Sequence, residues 1–464
     1  MTYRHRSVRS VRLLVCLLPV LLACAATGHA ARAAESVPAP SGTAQPAAAS
    51  SPPLPNRLNL VLPGWIRVRG EFRERVEGFE NSGYTTGRDD VYWLSRLRVN
   101  ATLIPSRDLS FQLQVQDARV AQKQIGPTGA PFKATVDLRM AFADIGAAAG
   151  RVTVRAGRQE LAFGEQRLVG HVSWLNAART FDGARVTLRS KTVTLDLFAT
   201  SVVRILPDTW DRSGNGNAFY GGYLTTSTLV RKSSVEPYFF FRQDKNLKVE
   251  SGTFGRLRQT TTGVRWTGTT PARFEYGVEA AMQRGSLGSD SISAWAGHAQ
   301  VKTPAFGPTV RAIGEYNYAS GDASPTDGVR GTFDQLYPTP HDKYGLADQV
   351  GWRNIHHVRA GFEIARVKAW PITANYHTWW LADAHDALYL AGGAVAVAAM
   401  AAGAPGRHVG QEIDLQLAHP MTPQLALAAG YAHIRPGQFL KAATPGASYS
   451  APFVMLTYVF LAEK

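Results

Sequence analysis

The run Ala156–Gly170, AGRQELAFGEQRLVG, sets Arg158, Glu160, Glu165 and Arg167 between Gly157, Gly164 and Gly170. Two glutamates close in sequence are the residue types that serve as acid and nucleophile in glycoside hydrolysis. Their spacing along the chain fixes no distance between the carboxyl groups, and glutamates among arginines are more often ion-paired than catalytic. The glycines make no phosphate cradle either. No Gly-Lys-Ser/Thr follows them, and a dinucleotide fingerprint needs a βαβ unit that this chain lacks. Apolar residues in the run follow neither a period of two nor the i, i+3, i+4 rule, so it is neither a plain strand nor an amphipathic helix. A strand end and a re-entrant turn, kinked at glycine with its charges facing inward, fits best.

The other candidates are weaker. Ser320–Asn354 holds Asp322, Asp327, Asp334, His341, Asp342 and Asp348. Their spacing matches no EF-hand, so no cofactor is expected; calcium in this loop is the weaker reading, and a long solvated loop the better one. His356 and His357 are adjacent, and neighbours on a strand point to opposite faces, which argues against a ligand pair. No Ser/His/Asp constellation stands at a meaningful spacing, and the expectation is that the protein is not an enzyme.

What positions these residues is a repeated pattern. From Trp65 onward the 464-residue chain alternates. WIRVRGEFRERVE sets Ile66, Val68 and Phe72 on one face against Arg67, Arg69, Glu71, Arg73 and Arg75 on the other, and VYWLSRLRVNATLI repeats the arrangement around Arg96 and Arg98. That is the period of a strand. About eighteen such segments follow one another, each of a length that crosses a bilayer at a tilt. Ala387–Ala404 is long and apolar but rich in Ala and Gly, and reads as a small helix in an external loop.

The ends set the compartment. Arg4, Arg6, Arg9 and Arg12, then the apolar run Leu13–Ala26, then Ala31-Arg32-Ala33, read as a secretory signal over residues 1–33. Both cysteines, Cys16 and Cys24, lie in this leader. Leu21–Cys24 resembles a lipoprotein box, so lipidation of Cys24 stays open. Cleaved after Ala33, the chain has no thiol for a disulfide or a metal. Residues 34–62, rich in Pro, Ala and Ser, read as a linker, and 63–464 as one barrel domain. The leader carries five arginines and no acid, so the remainder holds 45 basic against 35 acidic residues. An exported chain rarely meets nucleic acid; an acidic polymer or an anionic lipid surface suits this excess better.

Alternation alone also suits a soluble β-sandwich. A chain of this length would then need several sandwiches with linkers, and none appears after Pro55. Charged strand faces that line a lumen, with apolar faces turned to lipid, account for the pattern. Trp65, Trp93, Tyr276, Trp295, Tyr316, Tyr318, Trp379 and Trp380 near strand ends read as an aromatic girdle. The fold expected is an all-β transmembrane antiparallel barrel of about 18 strands in the bacterial outer membrane.

Four blocks, AGRQELAFGEQRLVG, WLNAARTFDGARVTL (Trp174–Leu188), the SGD…TFDQLYPTPHDKYG…GWRNI stretch, and GQEIDLQL…LALAAGYAHIRPGQFL (Gly410–Leu440), resemble the alginate export family of outer-membrane proteins. The resemblance runs from Trp65 to the end in the same order. It implies an eighteen-stranded barrel with an arginine-rich lumen through which a polyuronate leaves the periplasm.

Strand parity nominates the residues that would line such a pore: Arg67, Arg69, Arg73, Arg96, Arg98, Arg139, Arg155, Arg185, Arg311 and Arg359, with Glu71, Glu275, Glu279, Glu315 and Glu412 among them, and Arg158, Arg167, Glu160 and Glu165 at the re-entrant turn. Rings of arginine attract carboxylates in a confined channel, while interspersed acids keep binding from becoming a trap. The bland alternative is a static ion-pair lattice that stiffens the barrel. Expected partners are an anionic polysaccharide, outer-membrane lipid and a periplasmic secretion complex, with the protein a monomer. Two rival functions stay open: a porin taking up small anionic sugars or acids, and a barrel enzyme acting on glycan or lipid.

Overall fold

The computed structural model describes residues 57–461, apart from 228, 231, 251, 307–308, 368–369 and 401. The proposed signal peptide and nearly all of the proposed linker lie outside the described residues. The linker's last part does not: Arg57–Val61 forms a short helix, α1, whose Asn59 amide accepts from and donates to the Val68 backbone at 2.8 and 3.0 Å. That Asn59 contact ties the segment to the first strand.

Eighteen strands form the wall: β1 (Ile66–Phe79), β2 (Asp90–Ser106), β3 (Leu109–Ala121), β4 (Ala134–Ile145), β5 (Val152–Gln159), β6 (Phe181–Arg189), β7 (Val193–Arg204), β8 (Arg212–Thr226), β9 (Ser233–Lys248), β10 (Phe254–Thr269), β11 (Glu275–Leu287), β12 (Asp290–Lys302), β13 (Val310–Ala319), β14 (Ile355–Val367), β15 (Trp370–Leu381), β16 (His408–Pro420), β17 (Leu425–Pro436) and β18 (Tyr449–Leu461). Each pairs antiparallel with the next, and β1 also pairs with β18, from Gly70↔Leu461 to Glu77↔Phe453, so the sheet closes and leaves no edge. The eighteen expected strands are present.

The outer face is apolar: Phe72, Trp93, Val115, Phe239, Trp295, Phe362 and Ile413 all stand exposed on it. This is the band that meets lipid hydrocarbon. One girdle residue departs from expectation. Trp379 is buried inside the barrel and donates its indole N–H to the Tyr344 carbonyl at 2.9 Å, because it shares strand parity with the inward His377.

Short turns, such as 107–108 and 190–192, lie at the end that holds both chain termini, and the long connections lie at the other. By the usual asymmetry of such barrels the short turns are periplasmic. Two long connections fold back into the lumen. Residues 160–180 follow β5, and residues 320–354 follow β13; they meet at a parallel bridge, Val169↔Tyr337, where Gly170 N–H donates to the Tyr337 carbonyl at 2.8 Å and Tyr337 N–H to the Leu168 carbonyl at 2.9 Å. The second was expected to be a solvated loop. Instead Phe333, Tyr344 and Trp352 are buried in a core shared with Leu161, Phe163 and the inward wall residues Phe198, Phe219 and Phe240. Burying that aromatic surface drives the loop inward.

The helix expected in Ala387–Ala404 is also absent. Leu388–Tyr389 pairs with Val395–Val397 in a small hairpin, and Gly393 supplies the positive φ of 89° that its turn requires. β-branched valines flanking a Gly-Gly turn favour this over a helix.

Candidate lumen site

The first four strands carry a ladder of arginines on their inner face. Register sets Arg73 opposite Arg96 and Glu71 opposite Arg98, and Arg139 enters from β4 at a bulge. All four arginines are buried. Arg96 pairs with Glu71 at 2.6 Å, Arg139 pairs with Glu160, and Arg98 donates to Gln116 at 2.8 Å. Four buried cations thus share two carboxylates. Further donors are taken by backbone of the first infolded loop. Arg73 donates to the Ser173, Trp174 and Leu175 carbonyls at 3.0, 3.1 and 3.2 Å, Arg96 to Ser173 at 2.9 Å, and Arg75 to Trp174 at 2.6 Å. Four donors are left over: Arg73 Nε, Arg96 Nε, Arg98 Nη2 and Arg139 Nε are buried with no acceptor.

Trp174 is held from both sides. The Arg75 guanidinium lies 3.8 Å from its ring centroid, and the His341 ring stacks at 3.8 Å with an interplanar angle of 6°. His341 belongs to the second loop and contacts Asp348 at 2.8 Å. Burial pushes the His341 imidazole down, but Asp348 outweighs burial and raises it above its ordinary value. Beside this stack a cavity of about 510 Å³ opens at the long-loop end, lined by Phe79, Tyr92, Lys123 and Arg179 among others.

Arg167 is the hub of the infolded loops. It is 3% exposed and reaches Glu315 at 2.8 Å, Glu165 at 3.2 Å, Asn317 at 3.3 Å and the Tyr344 hydroxyl at 3.3 Å. Glu165 also takes Arg265 at 3.0 Å. Burial raises the carboxyls of Glu160 and Glu165, yet the surrounding cations prevail: Arg139 and His171 hold Glu160 at about 2, and Arg167, His298 and Arg265 hold Glu165 lower still. Neither carboxyl is available as a proton donor near neutrality, which the acid role in glycoside hydrolysis requires.

The other nominated residues are distributed as follows. Arg155 and Arg185 lie opposite each other on the inner faces of β5 and β6, Arg155 in a two-point pair with Asp144 at 2.7 and 2.8 Å and Arg185 on Asp196 at 2.8 Å. Arg311 meets Glu275 at 2.9 Å, and Arg359 meets Glu315 at 3.2 Å. Arg67, at the periplasmic end, donates to the Ile66 carbonyl at 2.8 Å. Arg69 faces inward opposite Asn100 and is exposed. Glu412 is inside but consumed: its carboxylate accepts the Leu346 N–H at 2.6 Å and anchors the second loop.

Arg158 is a correction. Arg155 and Gly157 face inward, so Arg158 falls with Ala156 on the opposite face of β5, where it pairs with Asp182 at 2.8 Å and donates to the Asp211 carbonyl at 3.2 Å. It does not line the lumen. Residues 155 and 158 have opposite parity on a regular strand.

A chain of buried polar side chains went unseen in the sequence. His298 contacts Asn317 at 2.8 Å, Asn317 contacts His357 at 2.9 Å, His357 contacts His377 at 2.9 Å, and His377 contacts Asp414 at 3.0 Å. Its members come from five strands. Inward parity for each was legible, but not their adjacency across the wall. His356 points outward to the Tyr316 hydroxyl at 2.8 Å, so the two adjacent histidines do part. Among the described residues, Asp322 and Asp327 of Ser320–Asn354 join a third carboxylate, Glu250, in a group whose oxygens lie within 4.8 Å of one another.

Comparison with known proteins accords with this geometry. The fold is similar to OccK11 (OpdR) of Pseudomonas aeruginosa, with a TM-score of 0.57 and 12% identity over 85% of this chain and 95% of that one. It is likewise similar to OccAB2 of Acinetobacter baumannii (TM-score 0.56, 12% identity, 84% and 97% covered) and to the outer membrane protein opdK of P. aeruginosa (0.55, 10%, 84% and 98%). At such identities the likeness speaks for the fold alone. No curated protein matches the sequence. A family model described as alginate export matches residues 64–453, nearly the whole barrel. The chain therefore belongs to the alginate export family and is an export pore of the bacterial outer membrane.

Proposed function

We propose that the pore conducts an acidic polysaccharide outward by diffusion, its carboxylates passing from one interior arginine to the next. The observation that carries this reading is the ladder of Arg73, Arg96, Arg98 and Arg139 against only Glu71 and Glu160, completed by loop carbonyls. A carboxylate is a stronger acceptor for a guanidinium than a neutral carbonyl, and the planar fork suits it. A polymer able to displace Ser173–Asn176 would therefore exchange weak partners for strong ones. In this reading the protein acts as a monomer, performs no catalysis, and receives its cargo from a periplasmic secretion complex.

One observation favours the alternative of uptake of small anionic sugars or acids: the two infolded loops fill the lumen with a buried core, which suits a narrow path. Single-channel conductance of the refolded protein, titrated with oligouronates and with neutral oligosaccharides of equal length, separates the readings. Block by the charged series alone, increasing with length, supports the polymer pore. Passage of monomeric uronate with no interaction by longer chains supports uptake. Indifference to both would remove the acidic-polysaccharide assignment and leave the fold.

A further inference from the structure

A second charged cavity lies away from the arginine ladder, at the long-loop ends of β9, β10, β11 and β12. Its volume is about 230 Å³. That is below the roughly 300–1,000 Å³ of sites for drug-sized ligands. The floor is apolar, a buried cluster of Leu257, Leu287 and Ile292 against which Leu247 packs. The rest is cationic: Arg242 and Lys248 from β9, Arg330 and Arg353 from the second infolded loop, and a single acid, Asp334.

Its donors outnumber its acceptors. Arg242 already holds Asp334 at 2.5 Å. Arg330 donates to the Lys248 carbonyl at 3.0 Å, and Arg353 to the Gly393 carbonyl at 3.1 Å. Three donors of cavity-lining residues remain buried without an acceptor: Arg242 Nε, Arg353 Nε and Gln259 Nε2, the last on a side chain that is 3% exposed. A buried donor left unpaired costs about 1–3 kcal/mol, and more when charged. All three belong to residues that line one cavity with an apolar floor, which describes a site for an anion that has a compact body.

We propose that this cavity binds a small monocarboxylate, its carboxylate on Arg353 and the Gln259 amide and its body on the Leu257–Ile292 floor. Carboxylate suits the site because Arg242 and Asp334 already make such a pair within it, and the volume admits one sugar residue and no chain. Arg353 and Arg330 belong to the infolded loop and Gln259 to the wall, so the bound anion cross-links the two. By linkage, the ligand then stabilises the docked position of the loop. The site stands whether or not a polymer passes the lumen.

The test is isothermal titration calorimetry of the refolded full chain in detergent with sodium D-glucuronate, D-glucose 6-phosphate and D-glucose. Saturable binding of glucuronate is expected, with no heat from glucose and weaker binding of the phosphate. Gln259→Leu, close in volume, and Arg353→Met should each weaken glucuronate by about tenfold. Arg258→Gln, an exposed neighbour outside the cavity, should not. Heat-modifiable gel mobility confirms that each variant is folded, and protection of residues 330–353 from protease by glucuronate in the unaltered protein reads the same site without a variant. Absence of saturable binding, equal heat from glucose, tighter binding of the phosphate, or equal weakening in Arg258→Gln would each overturn the assignment. Block by oligouronate is read separately by conductance, so the two proposals fail independently.

Discussion

Replacing Arg167 by Met should undock the first infolded loop while leaving the wall intact. The guanidinium is buried and joins Glu165 on its own loop to Glu315 and Asn317 on β13 and to Tyr344 on the second loop. Breaking a buried pair by removing one partner costs about 3–5 kcal/mol, chiefly because the other charge stays buried. Glu315 keeps Arg359 at 3.2 Å, and Glu165 keeps Arg265 at 3.0 Å, so the lower end applies, about 3 kcal/mol. At tenfold per 1.4 kcal/mol, the ratio of undocked to docked loop rises by about a hundredfold. Tryptic cleavage after Arg179 reads that ratio, since cleavage of a briefly opened segment follows its population. Single-channel conductance should rise in parallel, and boiling-dependent gel mobility should not change. Unaltered cleavage together with unaltered conductance would refute the hub role of Arg167, and loss of heat-modifiable mobility would show that the loop and the wall are not separable.

Arg69 faces inward, is exposed and has no carboxylate partner among the described residues, whereas Arg185 is neutralised by Asp196 at 2.8 Å; Arg69→Gln should shift the reversal potential in asymmetric salt toward cations more than Arg185→Gln does. Docking of the infolded loops should depend on pH in two directions. Glu160 is held at about 2, so its stabilisation is whole above the ordinary carboxylate range and is lost as pH falls toward 2. His341 is raised above 6.5, so its stabilisation is whole below 6.5 and is lost as pH rises through the raised value. Protease resistance of residues 160–180 should accordingly peak between about pH 4.5 and 6.5 and fall on both sides; a flat profile from pH 3 to 9 would contradict both assignments. Gly157→Ala should lower the yield of folded barrel, because a Cβ there would lie 2.2 Å from the Ala141 carbonyl oxygen at a φ of 125°; wild-type refolding yield would contradict that strain.

Much of the wall is legible in the sequence, since a closed barrel has one simple rule. Every second residue faces lipid, and every strand must satisfy its backbone from its neighbours, so alternation in WIRVRGEFRERVE and VYWLSRLRVNATLI is sufficient to place Arg73, Arg96 and Arg98 on one face. Where parity was relaxed the reading failed, as at Arg158, which lies three positions from Arg155 and so on the other face.

Sequence by itself determined the approximate strand number, the antiparallel barrel and most of the charges that share the inner surface, because these follow from local periodicity; the family came from the resemblance of four sequence blocks in their order. Only the tertiary structure decided what those charges meet. That Ser173–Asn176 would cap the arginine ladder, that the stretch from Thr332 to Asn354 would be largely buried, that His298, His357 and His377 would form one chain, and that Gln259 and Arg353 would line one cavity all depend on contacts between residues distant in sequence. The physical reason is that loops carry no period. Their path is set by the apolar surface they bury against Phe198, Phe219 and Phe240 and by the few ion pairs, such as Arg167 with Glu315, that hold them there.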